Sequence, residues 1–167
     1  MPKLKRSLPV LGWREWVAFP QLGVRLMECK VDTGARTSAL HAFYVEEFEQ
    51  DGRKMVRFGL HPRRHDTSKE VHCVCEVADE RVVSDSGGHK EKRYIIQTHV
   101  VLGNEIWPVE LSLTNRDSMR FRMLLGRTAM AENFIVDPGA KHLMGKPSKH
   151  PFECPAYRSR NDEEEEE

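Results

Sequence analysis

No stretch of this 167-residue chain is apolar for long enough to cross a bilayer, so a helical membrane anchor is not expected. The first twelve residues begin with charge, but their apolar stretch is short and broken by Pro9, so no secretory leader is expected either. A cytoplasmic setting follows, in which the four cysteines (Cys29, Cys73, Cys75 and Cys154) are expected as free thiols. Several reaction classes lack their signatures. There is no Gly-x-Ser-x-Gly elbow for a serine nucleophile, and Cys29 falls on the apolar face of its segment, where it packs rather than reacts. There is no His-Glu-x-x-His, and Gly126-Arg127-Thr128 lacks the long glycine loop that cradles nucleotide phosphates. His72-Cys73-Val74-Cys75 supplies two thiols on one strand face, but no second Cys-x-x-Cys completes a zinc set. No metal and no cofactor are expected.

Charge of one sign is also lacking overall: 26 Lys and Arg balance 26 Asp and Glu. The balance is uneven. With the six acids of Asp162–Glu167 set aside, 26 basic residues face 20 acidic ones, a net of +6. No dense basic run with interleaved aromatics is present, so the excess is expected to be ordinary solvated surface and nucleic acid is not an expected partner.

The length suits one domain with a real core. Residues 1–12 read as an N-terminal arm, 13–145 as the domain, and 146–167, with Pro147, Pro151, Pro155 and the acidic run, as a disordered tail. Between the tails most segments read as strands. Glu15–Phe19 and Val24–Val31 are joined by the turn Pro20-Gln21-Leu22-Gly23. Ala39–Phe48 and Lys54–Leu60 flank the Asp51-Gly52 hairpin signal. Glu70–Val77 and Arg81–Ser84 are shorter. Lys92–Leu102 and Glu105–Leu113 meet at Gly103-Asn104, and Pro108 predicts a free edge or a bulge. Phe121–Leu125 is a buried strand, Arg127–Asn133 a helix of one to two turns, and Phe134–Val136 a last strand. Many short strands with one late helix predict an all-β fold, a small closed β-barrel with one short C-terminal helix.

One run carries chemistry. In Cys29-Lys30-Val31-Asp32-Thr33-Gly34-Ala35 a carboxylate closes an apolar strand and is followed by a hydroxyl residue and a glycine. Alternation places Met27, Cys29 and Val31 on one face and Glu28, Lys30 and Asp32 on the other. Asp-Thr-Gly also occurs as a plain turn. What distinguishes this instance is a second hydrophobic strand ending in glycine, Leu124-Leu125-Gly126-Arg127, about 90 residues later. Amide hydrolysis without a metal or a nucleophilic side chain needs a water activated by two close carboxylates that share one proton. One acts as general base and the other polarises the carbonyl. This chain offers one such Asp, so two copies are required.

Asp32-Thr33-Gly34-Ala35 with Leu124-Leu125-Gly126-Arg127 resembles the retroviral-type aspartic proteases. The chain is more closely similar to the bacterial retropepsin-like group often labelled ATP-dependent zinc proteases. The resemblance spans most of the domain, through Arg36–Ala42, Asp51-Gly52, Val83–Gly88, Leu111–Arg116 and Met119–Arg127 to Val136-Asp137. It implies an acid-protease fold and a homodimer with one Asp32 per subunit. Asp32, Thr33 and Gly34 would be catalytic, and Leu125, Gly126 and Arg127 would support them. Ala35, Arg36, Ser86, Gly87 and Gly88 would contact a peptide substrate. It also implies a flap, with the Ser84–His89 loop and the Asp51-Gly52 hairpin as the two candidates; each also reads as a plain surface turn. The group is associated with ATP-grasp peptide ligases, which suggests ligase-made peptides as substrates. Two departures stand out. Arg36 occupies a position where viral enzymes carry an Asp that pairs with the later Arg, so Asp137, Glu132 or Asp117 would have to neutralise Arg127. Arg122 replaces a proline of the group, for which a local backbone change is expected.

Two readings of different class follow: a homodimeric, metal-independent aspartic endopeptidase, and a catalytically silent peptide-binding or regulatory module on the same fold, linked to a peptide ligase or to ribosomal-protein modification.

Overall fold

The computed structural model describes residues 7–84, 87–115 and 119–147. The chain is mostly β. Its strands are β1 (Val10–Leu11), β2 (Arg14–Phe19), β3 (Val24–Asp32), β4 (Ser38–His41), β5 (Tyr44–Gln50) and β6 (Arg53–Leu60). There follow β7 (Val71–Glu76), β8 (Asp79–Ser84), β9 (Lys90–Leu102), β10 (Glu105–Thr114), β11 (Met123–Gly126), the helix α1 (Arg127–Met130) and β12 (Ile135–Val136). Among the described residues no helix is long and apolar enough to cross a membrane.

The local signals acted as their chemistry requires. Asp51 and Gly52 both take positive φ (53° and 75°), the geometry of a two-residue hairpin, and β5 pairs with β6 around them from Gln50↔Arg53. Pro20–Leu22 forms one turn of 3-10 helix, closed by Gly23 at φ 76° with its N–H on the Pro20 carbonyl. Pro108 sits where β10 is paired on one side: Glu105–Ser112 ladder with β9, whereas β4 meets β10 only at Leu111–Thr114. Three expectations need correction. Ala39–Phe48 is two strands, because the Ala42 amide bonds to Thr114 while the next amide, Phe43, bonds to Gly59 in another sheet. The helix stops at Met130, where Ala131 turns its N–H back to the Arg127 carbonyl. Val10–Leu11, placed by sequence in the arm, pair in parallel with Ile135–Val136.

The main sheet runs β10-β4-β11-β3-β2-β9-β8, and β10 also pairs with β9. The pairings therefore close into a ring of six strands, with β8 attached outside it. A second sheet, β5-β6-β7, packs its buried Val56, Phe58, Leu60 and Cys73 into the same core as Val17, Phe19, Met27, Cys29, Leu111 and Leu125 of the ring.

A buried carboxylate ties the ends together. Glu15 is fully buried on β2. Its oxygens accept the backbone N–H groups of Gly12 (2.7 Å), Leu143 (2.9 Å) and Met144 (3.1 Å), holding the segment after β12 against β2. Replacing Glu15 by Ala leaves three amides without an acceptor. The expected loss of stability is about 3–5 kcal/mol, with Glu15→Gln intermediate, as read from denaturant melts.

Candidate functional site

β11 lies between β4 and β3, parallel to β3 with Gly126 opposite Asp32, and antiparallel to β4. The segment 33–37 that joins β3 to β4 therefore has to pass over the end of β11. Its backbone is fastened there. The Arg127 amide donates to the Ala35 carbonyl (2.8 Å), and the Thr128 amide and hydroxyl both donate to the Arg36 carbonyl (3.2 and 2.7 Å). From below, the Ser38 hydroxyl accepts the Gly126 amide (3.0 Å) while the Ser38 carbonyl accepts the Ser112 hydroxyl (3.2 Å).

Asp32 is half-buried at the mouth of this arrangement. One carboxylate oxygen accepts the amides of Gly34 (3.0 Å) and Ala35 (3.2 Å), which fixes the side chain. Thr33, Gly34 and Arg36 are exposed and Ala35 is half-buried. Leu125 is fully buried behind them. Gly126 is required by space, not by dihedral angle: its φ is −83°. A Cβ there would stand 2.7 Å from the Thr37 carbonyl carbon and 2.9 Å from the Ser38 nitrogen, both backbone atoms.

The alternation read from the sequence holds along β3. Met27, Cys29 and Val31 are buried; Glu28 and Asp32 are half-buried and Lys30 is exposed on the other face. The Arg127 guanidinium donates to the Gly34 carbonyl (3.3 Å), and Asp137, one of the three acids expected beside it, caps Gly139. Asp117 lies outside the described residues. Arg122 uses its carbonyl to accept the His41 amide (2.8 Å). Gly87 and Gly88 are exposed at the tip of the β8–β9 hairpin, Gly88 at φ 83°; Ser86 lies outside the described residues. The Asp51-Gly52 hairpin belongs to the second sheet.

The three described thiols are not poised as nucleophiles. Burial pushes Cys29 and Cys73 up from 9.0 to about 12, and Cys75 to about 11. Cys73 donates to the Leu22 carbonyl, and His72 is turned outward to Tyr44 and Glu70. Among the described residues no group of three or more His, Cys, Asp or Glu side chains could hold a metal ion.

Sequence reasoning missed the surroundings of Asp32. Along the outer face of β3 lie two hollows. One, of about 320 Å³, is lined by Trp13, Lys30, Arg64, Arg120, Phe121 and Leu124. The other, of about 520 Å³, has Arg14, Arg25, Arg63, Arg64 and Lys69 in its wall, with Glu28 as its one carboxylate. The positive excess expected to be plain solvated surface is thus partly gathered on one face. No run in the sequence could announce this, because the cations come from β2, β3 and the segment before β7; only the adjacent Arg63-Arg64 was a local hint.

A family model described as "RimB-like: Retropepsin-like aspartic endopeptidase RimB" matches residues 10–147. Curated relatives include a "Probable alpha-L-glutamate ligase" of Desulfotalea psychrophila, 42% identical over 84% of this chain. Another with the same name, from Shewanella pealeana, is 44% identical over 82% of it. The matched part is 30% of the length of either relative. A crystal structure of a protein of unknown function from Legionella pneumophila is 24% identical, with a TM-score of 0.68 over 83% of this chain and 99% of that one, and shares the fold.

Two outcomes are expected from this geometry. Gly126→Ala forces the 33–37 backbone off β11 and costs about 1–3 kcal/mol, measurable by urea titration, with loss of any Asp32-dependent activity. The buried thiols contribute stability fully below pH 9, where unfolded thiols are also protonated. That contribution declines as pH rises from 9 toward 12, because only the unfolded chain can then ionise. Unfolding midpoints between pH 8 and 10.5 follow this fall, and Cys29→Ala flattens it.

Proposed function

The chain belongs to the RimB-like family of retropepsin-like aspartic endopeptidases, and on that premise we propose that it hydrolyses peptide bonds through two Asp32 carboxylates, one from each of two copies. The observation that carries this reading is the placement of Asp32. It is a half-buried carboxylate at a strand end, immobilised by two backbone amides on a loop that is itself bolted to β11. A turn that merely reverses the chain has no need of those outer fastenings.

Each subunit supplies one acid. Brought together, the two cannot both ionise and share a proton. The ionised one takes a proton from water as the water attacks the carbonyl carbon; the protonated one donates to the carbonyl oxygen. Thr33 and Gly34 are exposed beside Asp32. Gly34 has no side chain to keep a peptide backbone away, and the Thr33 hydroxyl is available to a partner subunit. Ala35 and Arg36 would meet the substrate, with Gly87 and Gly88 at the hairpin that would cover it. Leu125, Gly126 and Arg127 hold the loop from behind. No cofactor enters the scheme.

The substrate proposed is an acidic peptide made by a peptide ligase of the ATP-grasp type. Two observations support this: relatives matched over most of the chain bear the name of a glutamate ligase, and cations line the approach to Asp32 along β3. The same observations favour a second reading, in which the domain binds such peptides and regulates a ligase without cutting them.

Digestion of glutamylated peptides by wild type and Asp32→Asn separates the two. Hydrolysis by the wild type, reduced at least a thousandfold in Asp32→Asn with fold and association state unchanged, is the expected result. Equal turnover by both, or none by either alongside retained binding, rejects the protease. EDTA is expected to leave the rate unchanged.

A further inference from the structure

The larger hollow on β3 has a floor of Trp16, Val24, Leu26 and Val71 and a basic rim. Glu28, its one acid, is already engaged. One oxygen faces Arg64 Nη1 (3.3 Å), and the other faces His142 Nε2 (2.7 Å) and Arg14 Nε (3.6 Å). Arg14 Nε is buried and has no hydrogen bond within reach. Arg25 and Lys69 are exposed, and among the described residues neither pairs with an acid. Arg63 has only a loose, exposed contact with Asp66 at 3.6 Å. The hollow therefore carries positive charge that its own wall does not neutralise.

The chain carries the complementary charge in one place, the six consecutive acids Asp162–Glu167. The route to it starts at the wall of the hollow. His142 stacks on Trp16 with ring centroids 5.0 Å apart, and Lys146 Nζ lies 5.4 Å above the same indole, one residue before Pro147, the last described residue. Fourteen residues lie between Pro147 and Asp162. Extended, they reach about 50 Å, so the acids can return to the hollow with ample slack. A tether of this length holds them near it at an effective concentration on the order of millimolar.

We propose that the acidic run Asp162–Glu167 occupies the basic hollow walled by Arg14, Arg25, Arg63, Arg64 and Lys69, and so competes with any acidic peptide offered to it from solution. The hollow is not the Asp32 site. Leu26 lies six residues before Asp32 on the same strand, about 20 Å away at strand rise. The occupied run therefore acts on the approach along β3 and leaves the carboxylate uncovered. The floor takes the carbon stems of the glutamates while the rim meets their carboxylates, an arrangement that added salt weakens. The inference concerns binding and stands whether or not the domain cuts peptides.

The test is a fluorescence-anisotropy titration with a dye-labelled hexaglutamate, in an Asp32→Asn background so that the probe cannot be consumed. Two full-length proteins are compared: one with the natural acidic run, and one with Asp162→Asn and Glu163→Gln through Glu167→Gln. Neutralising the run is expected to tighten probe binding at least tenfold. Adding Arg25→Ser and Lys69→Ser, both at the surface and outside the core, is expected to abolish that gain. Equal affinity for the two proteins overturns the proposal, as does a gain that survives the rim substitutions. A competition that strengthens with protein concentration assigns the acids to the hollow of a second copy and overturns the intramolecular form.

Discussion

The structure depends on one crossing. The segment from Asp32 to Ser38 has to pass over the end of β11 because β11 is inserted between β3 and β4. At the crossing two backbones approach within the space of a single methyl group, and Gly126 is the residue that permits it. Everything that could serve chemistry follows from that contact. Amides at 127 and 128 come within reach of carbonyls at 35 and 36, the loop is held rigid, and the Asp32 carboxylate is pinned against its own loop amides. A side chain at 126 would separate these groups before it disturbed any hydrophobic contact.

Two further carboxylates organise the periphery, by different means. Glu15 is wholly buried, and among the described residues it forms no ion pair; backbone N–H groups satisfy it, and it functions as a cap for the segment after β12. A carboxyl in such a place is tolerated because hydrogen bonds from the backbone replace its lost hydration. Glu28 is surrounded by Arg14, Arg64 and His142, and its effect is organisational: it orients arginines that then form the walls of both hollows on β3. Neither acid has a role in the sequence motif, yet together they set what lies next to it.

The match to retropepsin-like endopeptidases and the match to proteins named as glutamate ligases describe the same region, since the chain spans 30% of those relatives' length. Within that region the described structure sets one carboxylate at a locked strand end and gathers Arg14, Arg25, Arg63, Arg64 and Lys69 around one hollow beside β3.

Much of this was legible in the residues. Period-two alternation placed Asp32, Lys30 and Glu28 on one face of β3, and Asp51-Gly52 and Gly103 announced their turns, because these are local properties of a few dihedral angles. The pairing of Asp32-Thr33-Gly34 with Leu125-Gly126 was readable as a pattern. The break at Ala42–Phe43 was not, since successive amides there serve different sheets and nothing local distinguishes them from a continuous strand. Nor was the Arg127 contact with the Gly34 carbonyl. The sequence by itself determined which segments extend, where they turn and which residue carries the acid. Only the tertiary structure decided that Gly126 would lie against Thr37 and Ser38, that Glu15 would cap amides more than a hundred positions away, and that five scattered cations would ring one hollow. Those relations depend on ring closure between distant strands, and no window along the chain contains both partners.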